Sequence, residues 1–162
     1  MGQEQQPGGG GDPSTTAHAA SITPAWQRIR DHRFYLRDDV LYWECHGPMT
    51  LQDVIAMFEQ RMALQRQHGR VFLLFDARAL DSIPAETRRY AVHFKPDPPL
   101  QGTVVVFGAS LLARTALSLI TTASRLLGRR DLRPLHFGDD AAEAWAILER
   151  ERLALRTGQP PA

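Results

Sequence analysis

The sequence predicts an α/β fold: a single mixed, mostly parallel sheet of four to five strands with about four helices. Three observations predict it. The runs Val71-Phe72-Leu73-Leu74-Phe75 and Thr103-Val104-Val105-Val106-Phe107 are apolar without alternation, the pattern of strands buried on both faces. Between and after them lie stretches with apolar residues at spacings of three and four, which is helical. Ahead of the first helix the period is two, as in a hairpin. The expected order is β-β-α-β-α-β-α-β-α, with right-handed crossovers after the hairpin.

Residues 33–36 and 40–46 form the hairpin, joined by Arg37-Asp38-Asp39. Val40, Tyr42, Glu44 and His46 share one face, and Leu41, Trp43 and Cys45 the other. Both faces carry large side chains. Thr50 is placed to cap the first helix, with Asp53 three residues on, where its charge suits the helix start. Leu51, Val54, Ile55, Phe58 and Met62 fall on the inner side, and Gly69 closes the helix in a left-handed turn.

The strand at 71–75 ends in Asp76, so a loop is expected from Asp76 to Ser82. Pro84 fits the first turn of the next helix, because its missing N–H is an orphan there anyway. Ile83, Thr87, Tyr90, Ala91 and Phe94 face inward, and Pro96, Pro98 and Pro99 stop the helix. After the strand at 103–107, Ser110 caps a long helix whose inward stripe is Leu112, Ala116, Leu119, Ile120, Ala123 and Leu127. Residues 135–137 form a short last strand. Asp139-Asp140 then cap a final helix with Trp145, Ile147 and Leu148 inward.

Residues 1–23 contain Gly8-Gly9-Gly10-Gly11, Pro7, Pro13 and a Ser14-Thr15-Thr16 run. Such a segment has too little apolar surface to offset its ordering entropy, so a disordered tail is expected there, and a shorter one at 157–162. One domain remains, at 26–155. The net charge of +1, with Lys95 the single lysine, argues against a nucleic-acid partner. One cysteine, Cys45, makes neither an intramolecular disulfide nor a cysteine zinc cluster. No secretory signal is present, and no apolar run approaches the ~20 residues of a membrane span. A cytoplasmic protein is expected.

Cofactor and catalytic patterns fail on particular residues. Phe107-Gly108-Ala109-Ser110 lies at a strand-to-helix turn, but one glycine does not make a dinucleotide fingerprint. Gly108-x-Ser110 begins a nucleophile elbow, yet Leu112 stands where a second glycine is needed. His18, His32, His46, His68, His93 and His136 include no pair three or four apart, and Cys45 and His46 point to opposite faces of a strand. No metal, cofactor or enzymatic activity is expected. Arg125, Arg129, Arg130 and Arg133 cluster at a helix end, where the dipole favours cations, and read as a solvated face.

The stretch from Val71 through Asp76-Ala77-Arg78-Ala79-Leu80-Asp81-Ser82 to Pro84 resembles the middle of a STAS domain. These domains occur in anti-sigma-factor antagonists and at the cytoplasmic ends of sulphate transporters. In that family a buried strand ends in Asp, a short loop follows, and a helix begins with a phosphorylatable Ser or Thr. The resemblance runs over about 34–155 through strand order, and is closest to antagonist-like bacterial proteins, a group also similar to CRAL-TRIO lipid carriers. It implies a non-enzymatic regulatory or protein-interaction module, in bacterial signalling.

Asp76 matches the acidic residue of that pattern. The family's phosphorylated hydroxyl falls near Ala85 or Glu86, and neither accepts a phosphate; the nearest hydroxyls are Ser82 and Thr87. The resemblance therefore implies an interaction surface of Asp76, Arg78, Asp81, Ser82, Glu86, Arg88 and Arg89, facing a protein partner. The alternative is a lipid or other apolar small molecule held between helices and sheet. The helix from Leu111 to Leu127 would line that site, with Tyr90 and Phe94.

Overall fold

The computed structural model describes residues 25–129 and 135–157. The tail expected at 1–23 lies outside them, as does that at 157–162 apart from Thr157, the last residue of a helix. The described strands form one sheet in chain order: β1 (Gln27–Ile29), β2 (His32–Arg37), β3 (Val40–Gly47), β4 (Phe72–Leu80), β5 (Val104–Phe107) and β6 (Leu135–Gly138). The helices are α1 (Leu51–His68), α2 (Ala85–His93), α3 (Leu111–Leu126) and α4 (Ala141–Thr157). β1, β2 and β3 pair antiparallel, and β3 through β6 pair parallel.

Each of α1, α2 and α3 carries the chain one strand further in the same direction. A constant hand of crossover then puts all three on one face. There Leu41, Trp43, Cys45, Phe75 and Val106 pack with Val54 and Met57 of α1. The opposite face, with Val40, Tyr42, Leu74, Val105 and Phe107, packs against Ala144, Ile147 and Leu148 of α4. Cover on both sides is why the two central strands read as unbroken apolar runs.

The caps form as the sequence expects. The Thr50 hydroxyl accepts from the Asp53 N–H, and the Asp53 carboxylate accepts from the Thr50 N–H at 2.9 Å, a complete capping box. Ser110 Oγ accepts from the Ala113 N–H at 3.2 Å, and Asp140 Oδ1 from the Glu143 N–H at 2.8 Å. Gly69 ends α1 at φ +76°, with its N–H on the Gln65 carbonyl.

Four features depart from expectation. The sheet has a sixth strand, β1, so the order is β-β-β-α-β-α-β-α-β-α. Its three residues are exposed or half-exposed on the sheet edge, and so short a run carries no periodicity to detect. Secondly, β4 does not end at Asp76: it runs on to Leu80, paired with the far end of β3 through His46–Ala79 and Gly47–Leu80. The loop expected from Asp76 is therefore strand for four more residues. Thirdly, Pro84 occupies the N-cap of α2 rather than its first turn and makes no side-chain cap bond.

The fourth departure concerns α3. Leu112, Leu119 and Leu127, expected inside, are 80%, 63% and 49% exposed. Of the expected stripe Ala116 does pack against the core, and Ala113 and Leu117 join it there in place of those leucines. It also lies against α2, where Ser124 Oγ donates to the Val92 carbonyl at 3.3 Å. Small residues allow that close approach, and they turn the larger leucines outward.

Candidate functional site

Asp76 anchors the predicted surface but is not part of it, being 1% exposed. The Tyr42 hydroxyl donates to its Oδ2 at 3.0 Å. The Arg78 N–H donates to Oδ1 at 3.1 Å, and the Arg78 guanidinium donates to both oxygens at 2.7 to 3.2 Å. Burial pushes the Asp76 carboxyl up, but the hydrogen bonds from Arg78 and Tyr42 outweigh it and hold the group below its ordinary value. Burial likewise raises the Tyr42 phenol, and the Asp76 charge raises it further. The carboxylate is thus fully engaged inside the fold, which is why a charged residue does not end β4. Arg78 lies across it, with its guanidinium 5.5 Å from the centre of the Phe107 ring.

The other predicted residues lie at the protein surface. Arg78, Asp81, Ser82, Glu86, Arg88 and Arg89 are all exposed. The segment before α2 is pinned by its backbone: the Asp81 N–H donates to the Gly47 carbonyl and the Ser82 carbonyl accepts from Met49. Thr87, the other hydroxyl near the family's phosphosite, is fully buried and its Oγ1 has no hydrogen-bond partner. Of the two, only Ser82 is open to a modifying enzyme.

Beside this surface is a feature the sequence reading missed. Leu112, Leu119 and Leu126 recur every seven residues on α3 and are 80%, 63% and 83% exposed. Ala116 and Ala123 lie between them and, with Arg88, Arg89 and Val92 of α2, line a shallow groove. Leucine and alanine alternating at four and three is the seam one helix offers another. Leu112 and Leu119 read as core in the sequence because buried and docking stripes have the same period, and Leu126 falls outside that stripe. Arg88 and Arg89 give the groove a basic border on its α2 side.

Between the sheet and α1 to α3 lies a cavity of about 170 Å³. Leu117, Ile120 and Thr121 supply the α3 wall, with Phe94 of the segment after α2. Of the walls expected for an apolar-ligand site, Phe94 and Ile120 are present, while Leu112, Leu119 and Leu127 face away. Arg61 and Arg129 also line it. Arg129 is buried, not solvated as expected, and donates to the Phe94 carbonyl at 2.7 Å; Arg130 and Arg133 lie outside the described residues. Arg61 follows Val54 and Met57 at helical spacing on the inner side of α1, a position the sequence shows but charge argues against.

Among the described residues no group of three or more His, Cys, Asp or Glu side chains is placed to hold a metal ion. Cys45 is buried, and burial pushes its thiol well above the ordinary value.

No family model matches the chain, and no curated protein matches it. Among solved structures, it is similar to an uncharacterised protein of the DUF3478 family with a SpoIIAA-like fold, from Shewanella loihica PV-4. That likeness is at 17% identity and a TM-score of 0.37, over 77% of this chain and 91% of the other.

Proposed function

We propose that this chain is a non-enzymatic, regulatory protein-interaction module of the STAS-like kind, working in the cytoplasm. Its partner presents an amphipathic helix with acidic flanks to the α2–α3 face. The observation that carries this reading is the row of Leu112, Leu119 and Leu126, spaced by seven on a helix whose apolar side the described residues leave uncovered. Exposed apolar surface with a charged rim is characteristic of docking sites. Charge selects the occupant. Arg88 and Arg89 of α2 line the groove beside Leu112 and Leu119, so a second copy packed face to face would bring arginines against arginines, whereas acidic flanks complement them. Ser82, exposed three residues ahead of α2, supplies the regulatory element: a phosphate there changes the charge beside the docking face.

The test places a photo-crosslinking residue at Thr122 of the full chain in its native cells, with a control at Arg150 on α4. The expected result is a discrete heterologous adduct from Thr122 alone, lost with Leu119→Asp and with Arg88→Glu/Arg89→Glu. Adducts from both sites, adducts only to a second copy of the chain, or adducts indifferent to these substitutions would overturn it.

A further inference from the structure

We propose that the cavity beneath α1, α2 and α3 is a binding site for one small amphipathic carboxylate, its anion against the Arg61 guanidinium and its apolar body among Phe75, Val106 and Leu117. This goes beyond the docking face and does not depend on it. Three observations point the same way.

The first is a charge without a counter-charge. Arg61 is 4% exposed, and its donors reach only backbone oxygens: the Val71 carbonyl at 3.3 Å and the Gly102 carbonyl at 2.8 Å. Among the described residues no carboxylate forms an ion pair with it. Carbonyl dipoles orient a guanidinium but leave its formal charge unneutralised, and buried charges are ordinarily paired. The Arg129 guanidinium lines the same space and adds to the positive potential at Arg61. Burial and that neighbouring charge bring Arg61 down to about 10, so it remains a cation at neutral pH. A bound anion removes the mismatch, and a carboxylate matches the planar fork of a guanidinium.

The second is the shape and lining of the space. Apart from Arg61, Arg129 and Thr87, the walls are formed mainly by apolar side chains such as Phe75, Val106 and Leu117. Arg61 sits where β4 and β5 begin, since it holds the carbonyls just before each. Thr87 belongs to the first turn of α2, which follows the other end of β4. Its buried hydroxyl has no partner, so the far end of the cavity also has an unmet polar group.

The third is size. The cavity holds about 170 Å³, close to the ~150 Å³ that accommodates a benzene ring. The ligand class is therefore a carboxylate of roughly six to eight non-hydrogen atoms, and a long-chain lipid is too large.

Hexanoate and its neutral isostere hexanamide test this by calorimetric titration into the full chain, with methyl NMR of Thr87 and Leu117 to locate the ligand. The expected result is saturable one-to-one binding of hexanoate, about tenfold or more tighter than hexanamide because of the charge-assisted hydrogen bond. Arg61→Gln removes that preference, and Ala91→Phe, which fills the cavity, abolishes binding of both. Leu119→Asp on the outer face leaves hexanoate binding unchanged while removing the docked helix, which separates the two sites. Absence of saturable hexanoate binding, equal affinity for hexanamide, or binding that survives Ala91→Phe would each overturn the proposal. Should Arg61→Gln fail to fold, the hexanoate–hexanamide comparison and Ala91→Phe still decide it.

Discussion

The Tyr42 hydroxyl donates a 3.0 Å hydrogen bond to the Asp76 carboxylate across the parallel strands β3 and β4, beneath the face that α4 covers. Asp76 is thereby a structural strut, shared between Tyr42 and Arg78. Asp76→Ala leaves the buried Tyr42 hydroxyl without an acceptor, at a cost of about 1–3 kcal/mol. Urea denaturation at neutral pH measures it. Asp76→Asn, which keeps an acceptor for Tyr42, falls below Asp76→Ala in that loss.

The same carboxylate sets an acid limit. Its folded value is held below that of an ordinary aspartate, so its contribution is complete above the ordinary value and disappears as pH falls through the folded one. Stability followed between pH 6 and pH 2 declines less steeply in Asp76→Asn than in the wild type. Identical slopes would remove Asp76 from the acid transition.

The helix-start geometry gives a local prediction. Thr50 and Asp53 exchange hydrogen bonds at the start of α1. Thr50→Ala therefore lowers stability by about 1 kcal/mol, and Thr50→Ser restores most of it. Thermal denaturation of the three proteins side by side checks the order.

Two leucines separate the outer from the inner apolar sets. Leu119 is 63% exposed and Leu148 is fully buried under the sheet. Leu119→Asp changes stability by no more than about 0.5 kcal/mol, whereas Leu148→Ala costs about 2–5 kcal/mol. A large loss on Leu119→Asp would place that residue back in the core and remove the docking face.

Gly102 tests close backbone approach. A Cβ there would stand 2.5 Å from the Val71 carbonyl oxygen, at φ +98°, while a Cβ on Gly69 meets nothing within 4 Å at φ +76°. Both substitutions by Ala carry the left-handed backbone cost of about 1 kcal/mol, and Gly102→Ala adds a clash with the chain that also holds Arg61. Gly102→Ala is the more destabilising of the pair in the same denaturation assay.

Local patterns in the chain determined the α/β class, the central strands and the three side-chain caps at Thr50, Ser110 and Asp140. Each depends on neighbours within a few residues, or on an apolar run that only a doubly covered strand explains. β1 was illegible because three residues, two of them polar, gain strand character only from their partner, β2. The exposure of Arg78, Asp81, Ser82, Glu86, Arg88 and Arg89 was legible, but not the burial of Asp76, which is bonded to Tyr42, thirty-four positions away. Tertiary structure alone decided which side of α3 meets the sheet, that β4 continues past a charged residue, and that Arg61 and Arg129 share one cavity. The physical reason is common to all three. Periodicity fixes which side chains lie together on an element, but what that face touches is set by packing between elements far apart in sequence.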